Sequence, residues 1–357
     1  MLRESEPPSE EPSRASRPAP RRSSVFADVD LGRDGKQVGF FYVPQSPHDD
    51  AWGTVRVPLA VIKNGTGPTI LFEGGNHGDE YEGPIALGEL IRSIDPATIQ
   101  GRIIAIPAIN LPAVTAAQRT SPIDGLNFNR TFPGDPAGTL TRQLAAYVHD
   151  RLFPEADYFV DLHSGGSSLM IMPSTIIEPG RDPAHHQRNI EATLAFGAPM
   201  AVVVDNLGEA RTATASAVEA GLTVVGTEMA GAGAVSAEAL AICRRGIRNI
   251  LAHAGLTDPA TLVRPEREPR LLAVPGSEAY VLATEDGVFV PADALGASVK
   301  AGSVAGHIHF LADPGREPVA LHHRIDGMLF ARRQPGRVRP GNCCLVVAVP
   351  YDRGAVP

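Results

Sequence analysis

The stretch PTILFEGGNHGDE, residues 68–80, decides how this chain is read. A short apolar run, Ile70 to Phe72, passes into two glycines and then into His77, Asp79 and Glu80. Such a run reads as a buried strand whose C-terminal end opens into a loop. The residues that follow, EGPIALGELIRSI (82–94), repeat Ile85, Leu87, Leu90, Ile91 and Ile94 at helical spacing.

Working outward, the same alternation recurs. TVRVPLAVIKNG (54–65) alternates like a half-buried strand, and RIIAIPAIN (102–110) reads as another buried one. Residues 111–138 are rich in turn formers, and loops this long in a compact domain are usually functional or disordered. TLTRQLAAYVHDRLF (139–153) predicts a helix capped by Thr139 or Thr141. DYFVDLH (157–163) is a strand, HHQRNIEATLAFGA (185–198) a helix, and AVVVD (201–205) a strand. TATASAVEAG is a helix stopped by Gly221, LTVVGTE (222–228) a strand, and a long helix runs from about Ser236 to His253. Alternating strands and helices predict an α/β/α sandwich with a mixed, largely parallel sheet covered on both faces. Sites in such sheets gather at the C-terminal ends of strands.

Residues 257–269 are rich in proline and charge. After them come only short strand-like runs such as AYVLAT, GVFVPA and CLVVAV, which predict a small C-terminal all-β domain. The expected division is a disordered tail (1–23), a catalytic domain (24–256) and a β domain (257–357). The tail is rich in Pro, Ser, Glu and Arg and lacks the apolar core of a secretory signal.

Composition narrows the function. A net charge of -8 argues against a nucleic-acid binder and an anionic membrane partner. No apolar run approaches the roughly 20 residues of a membrane span. Three cysteines, Cys243, Cys343 and Cys344, make no CxxC pair and read as reduced thiols of a cytoplasmic protein.

Three chemical features fall at predicted strand ends: His77 with Glu80, Asp161 with His163, and Glu228. Two histidines and a glutamate make a zinc site that leaves one position open for water. Zinc lowers the pKa of such a water to about 7 and polarises a carbonyl, and a nearby carboxylate can act as general base. Asp161 is a candidate to orient a ligand from behind. Each feature has a plain alternative. HxxE occurs by chance, strand-end histidines are often structural, and Asp79 and Glu82 read as a solvated turn and a helix first turn. His307 with His309, His322 with His323, and His185 with His186 read as exposed or structural. No GxSxG elbow or phosphate-binding loop is present.

The set GGNHGDE, NFNR, DLHSGG and GTE resembles the succinylglutamate desuccinylase/aspartoacylase family, a relative of zinc carboxypeptidases. The resemblance runs from about Val57 to His253, and an appended β domain is also a family feature. It implies one zinc ion per subunit, held by His77, Glu80 and His163, with Glu228 as general base. It also implies that Asn129 and Arg130 grip the substrate carboxylate and that Arg119 steadies the oxyanion. The common Asp-Leu-Asn-Arg of the family is Asn127-Phe128-Asn129-Arg130 here, and Arg119 lies further from Asn129 than in aspartoacylases. The wording EGGNHGDEYEGP, NFNRTFPGD and VDLHSGG is most similar to the branch acting on N-α-acetyl-L-2,4-diaminobutyrate in ectoine breakdown. The expected partner is therefore a small N-acyl amino acid, with no nucleic acid, no membrane and homo-oligomerisation left open. The competing functions are another N-acyl amino acid deacylase of aspartoacylase or succinylglutamate desuccinylase type, a zinc carboxypeptidase on peptides, and a non-catalytic metal-stabilised binder.

Overall fold

A computed structural model describes residues 23–204 and 208–351. The expected tail up to residue 22 and Asp205, the last residue of the predicted AVVVD strand, lie outside the described residues. The chain opens with Phe26–Ala27 (β1), Gly35–Gln45 (β2), Gly53–Asn64 (β3), Thr69–Gly74 (β4), Glu82–Ser93 (α1) and Gly101–Ile106 (β5). Leu111–Ala116 (α2), Leu140–Tyr147 (α3), Tyr158–His163 (β6), Leu169–Ile171 (β7), Ser174–Ile177 (β8) and Pro183–Phe196 (α4) follow. Then come Met200–Val204 (β9), Ala213–Ala220 (α5), Thr223–Glu228 (β10) and Ala237–His253 (α6). The remainder is extended: Arg270–Val274 (β11), Tyr280–Leu282 (β12), Gly287–Pro291 (β13), Ser298–Val299 (β14) and Val304–His309 (β15). Val319–His322 (β16), Gly327–Arg333 (β17), Arg337–Val338 (β18) and Cys343–Pro350 (β19) complete it.

The main sheet runs β1-β2-β3-β5-β4-β6-β10-β8-β9-β11-β19-β17-β14. Its centre, β5-β4-β6-β10, is parallel, as are β8-β9-β11. The joint between these blocks, β10 against β8, is antiparallel, as are both flanks. Helices α1, α4 and α6 cover one face through Leu87, Leu90, Phe196, Ile247 and Ile250. Helix α3 and α5 cover the other through Leu144, Ala213 and Ala217. This is the expected sandwich. A second, four-stranded sheet, β16-β15-β13-β18, is antiparallel. The main sheet itself continues past residue 257 through β11, β19 and β17, which pack on β9 around Met200, Val202, Leu272 and Phe330.

Several local expectations are corrected. Strand β2, paired along its whole length with β3, is not singled out by the sequence reading. The supposed loop 111–138 begins with α2. Thr139 stands at the N-cap of α3 without a side-chain cap bond, and the Thr141 hydroxyl donates to Asp124 at 2.7 Å instead. Gly221, with φ +94°, ends α5 as expected, and Ser236 caps α6 by accepting from the Ala239 N–H at 3.2 Å. Among the described residues no helix is long and apolar enough to cross a membrane. Cys243, Cys343 and Cys344 are free thiols.

Candidate active site

The register of the parallel strands assembles the site. Glu73 and Gly74 of β4 pair with Asp161 and Leu162 of β6, and His163 pairs with Glu228 of β10. The carboxyl ends of three neighbouring strands therefore coincide. The turn after β4 carries His77 and Glu80, and it packs so tightly on α2 that a Cβ on Gly78 would lie 1.9 Å from the Ala113 carbonyl oxygen. No side chain larger than hydrogen fits there. A second loop, after β6, is tied to this turn by Asp79, whose carboxylate accepts from the Ser167 N–H and hydroxyl, both at 2.7 Å. Asp79 is thus a buried brace, correcting the expected solvated turn. Glu82, also buried, accepts from the Ser236 N–H at 2.9 Å.

Glu80 stands between two imidazoles. His77 Nδ1 is 2.8 Å from Glu80 Oε1, and His163 Nδ1 is 2.8 Å from Glu80 Oε2. The opposite ring nitrogens are held from behind. His77 Nε2 lies 3.1 Å from Asn127 Oδ1, and His163 Nε2 lies 2.9 Å from Asp161 Oδ2. Asn127 Oδ1 also accepts the Asn129 N–H at 3.0 Å, which fixes the oxygen toward His77. The Asn127 and Asp161 oxygens accept Nε2–H from their rings, which turns each Nδ1 toward Glu80; a ring that is neutral with its proton on Nε2 can donate its Nδ1 electron pair there. Ligand atoms of His77, Glu80 and His163 all lie within 4.8 Å of one another, and all three residues are buried. Two imidazoles and one carboxylate, pre-oriented and shielded, suit a divalent metal ion, and this group could hold one.

Without an ion, proton affinities follow from burial and mutual charge. Burial works against ionised Glu80, but His77 and His163 outweigh it and hold the carboxyl well below the usual range. Burial depresses His77. For His163 burial is overcome by Asp161 and Glu80, and its pKa rises well above the ordinary value. Glu228 is pushed up to about 8 by burial and then by the charge of Glu80. Beside Asp161 on the neighbouring strand, Glu73 is completely buried, and burial plus the Asp161 charge push it well up.

All seven predicted site residues, His77, Glu80, Arg119, Asn129, Arg130, His163 and Glu228, line one cavity of about 360 Å³. Arg119 lies beside the His77–Glu80–His163 group, its Nη1 3.5 Å from Glu80 Oε1. The Arg130 guanidinium donates to the Asn129 carbonyl at 2.6 Å and lies 3.6 Å from Glu209. Asn129 Oδ1 accepts from the Ala213 N–H at 2.8 Å, anchoring that loop to the start of α5. Asn127, Glu178, Thr214 and the wall residues Val274, Phe330 and Val346 escape the sequence reading. For Asn127 a signal exists, because it is where NFNR departs from the family wording. The histidines outside the cavity are not gathered with it. His185 is buried with Nε2 2.7 Å from the Leu222 carbonyl, His323 is buried with Nε2 3.1 Å from Asp293, and His307 is exposed.

Fold and site together define a hydrolase built on an α/β/α sandwich with an open His–Glu–His group at its strand ends. Residues 66–254 match the succinylglutamate desuccinylase/aspartoacylase catalytic domain. The chain is 41% identical over 329 residues to N-alpha-acetyl-L-2,4-diaminobutyric acid deacetylase of Halomonas elongata, covering 92% of this chain and 96% of that protein. A succinylglutamate desuccinylase/aspartoacylase crystal structure from Rhodobacter sphaeroides superposes with TM-score 0.88 at 41% identity, covering 92% of this chain and 100% of the other. The product-bound ectoine utilization protein EutE (DoeB) of Ruegeria pomeroyi does so with TM-score 0.89 at 40% identity, covering 92% and 99%. This chain belongs to the succinylglutamate desuccinylase/aspartoacylase family.

Proposed function

We propose that the chain is a zinc-dependent deacetylase that hydrolyses N-α-acetyl-L-2,4-diaminobutyrate to diaminobutyrate and acetate. The observation that carries this reading is the convergence of His77, Glu80, His163 and Glu228 on one cavity. Identity of 41% to the Halomonas elongata deacetylase supports the choice of substrate. His77, Glu80 and His163 would hold the ion, which supplies Lewis acidity toward the acyl carbonyl and acidifies water.

The chain's own groups do the rest. Glu228 takes a proton from the attacking water and delivers it to the leaving amine. A pKa lifted toward neutrality by a buried setting suits a group that must both accept and release a proton. Arg119 donates to the oxyanion as it forms, a role its nearness to Glu80 supports. Arg130 offers a planar fork to the substrate carboxylate, with Asn129 fixing its approach. Apolar walls from Val274, Phe330 and Val346 exclude water around these groups.

The test is turnover by metal-quantified protein of acetyl-diaminobutyrate, acetyl-aspartate, succinyl-glutamate and short peptides. The first should be hydrolysed, stopped by chelation and restored by zinc. Glu228→Gln should keep its metal while kcat falls about 100- to 10,000-fold. A metal-loaded Glu228→Gln protein with wild-type kcat sinks the assignment of the base.

A further inference from the structure

Among the described residues four carboxylates line the cavity: Glu80, Asp161, Glu228 and Glu178. Three have work. Glu80 stands between the imidazoles, Asp161 holds His163, and Glu228 is the proposed base. Glu178 is left without a task. It follows the end of β8, whose antiparallel register with β10 sets Ser174 opposite Glu228 and Ile176 opposite Gly226, so Glu178 lies further along, toward the amino end of β10.

Its position is built. The Thr214 hydroxyl, in the first turn of α5, donates to Glu178 Oε1 at 2.6 Å. The Glu178 carbonyl accepts from Asn189 Nδ2 at 3.0 Å. Ala213, one residue before Thr214, is the residue whose N–H meets Asn129. One helix start therefore fixes both Glu178 and the loop that carries Arg130. Ile176, Val204 and Phe330 make the surrounding wall apolar. Burial raises the Glu178 carboxyl above the usual range, Thr214 offsets this in part, and Asp161 adds to the rise. Among the described residues no cationic side chain contributes to this balance. A carboxylate held in an apolar wall without a cation gains from one supplied by a ligand.

We propose that Glu178 is the specificity-determining residue, its carboxylate receiving a cationic side-chain end of the acylated amino acid while Arg130 takes the α-carboxylate. The inference rests on the deacylase reading above and sharpens it. N-acyl amino acids with neutral side chains leave Glu178 unpaired, and those with anionic side chains meet like charge.

The experiment compares metal-loaded wild type with Glu178→Gln on the N-acetyl derivatives of 2,4-diaminobutyrate, 2-aminobutyrate and aspartate. The first two differ by the side-chain amine alone. Wild type should prefer the diaminobutyrate derivative. Glu178→Gln should lower kcat/KM on it about 100-fold, alter the aminobutyrate derivative by less than about 3-fold, and improve the aspartate derivative. Equal losses on all three would make Glu178 a merely structural residue and overturn the proposal. A wild type that prefers the neutral or anionic derivative overturns it too, while leaving the deacylase reading intact. A wild type inert on the whole panel defeats the deacylase reading. Calorimetric binding of 2,4-diaminobutyrate and 2-aminobutyrate then decides the role of Glu178. Selective loss of diaminobutyrate affinity in Glu178→Gln upholds it, and unchanged affinity rejects it. If Glu178→Gln does not fold, Thr214→Val removes the orienting hydroxyl and should cost about 10-fold on the cationic substrate alone. Uniform change across the panel in that variant counts against the proposal.

Discussion

At one end of the cavity His77, Glu80, His163 and Glu228 come from the ends of strands that lie side by side. At the other, Glu178, Thr214, Val274 and Phe330 come from a reversed strand, a helix start and the C-terminal strands. The first end is held by short, direct bonds among polar and charged groups, and each imidazole that faces Glu80 has a partner on its other nitrogen. The second is mostly apolar, with one hydroxyl-bound carboxylate. The difference separates two tasks. Bond breaking needs groups fixed within fractions of an ångström, whereas selection needs a shaped wall with a few polar points. Damage at the first end should remove the reaction, and damage at the second should change which molecules undergo it.

The largest expected effect lies in the ligand set. His163→Ala should strip the metal, read by elemental analysis, and lower kcat/KM by about 1000-fold or more. Full metal content in both His163→Ala and His77→Ala would erase the contrast between the two ends. Removing the support behind a ligand should cost less. Asn127→Ala takes away the acceptor for His77 Nε2 and should weaken metal affinity about 10- to 100-fold. Competitive chelation measures this, and a wild-type constant would mean that Asn127 serves only the turn. At the far end, Phe330→Ala should leave metal affinity unchanged and raise KM several-fold, as steady-state kinetics would detect.

The smallest effect is on stability, and it carries a sign. Glu228 and His163 both have folded pKa values above their ordinary ones in the metal-free protein. Each therefore contributes stability that is present below its ordinary pKa and lost as pH rises through the folded value. Between pH 6.5 and about 8 the metal-free protein should lose Tm. His77, depressed by burial, acts below this window and does not oppose the trend. Metal binding displaces the His163 proton, so the gain in Tm on loading should widen with pH. Calorimetry of chelated and loaded protein would expose the error if the gap narrowed.

Much of the first end is legible in the sequence. Glycine-terminated apolar runs mark buried strands, and His-x-x-Glu, Asp-Leu-His and Thr-Glu close three of them. Parallel packing then brings such ends together. The second end is not legible. Glu178 sits in an unremarkable run, STIIEPG, and its place in the cavity shows only once Thr214, 36 residues away, is folded against it. Asp79 looked solvated because its partner, Ser167, is 88 residues away. Strand β2 is not legible because its glycine, proline and polar residues blur the alternation that its pairing with β3 makes plain.

By itself the sequence determined the layered sandwich and the residues able to hold a metal, because periodicity and donor type are local properties. Tertiary structure alone decided which nitrogen of each imidazole faces inward, which carboxylates act together and which stands apart. Those properties depend on strand register and on contacts between distant segments, and no short window of sequence contains them.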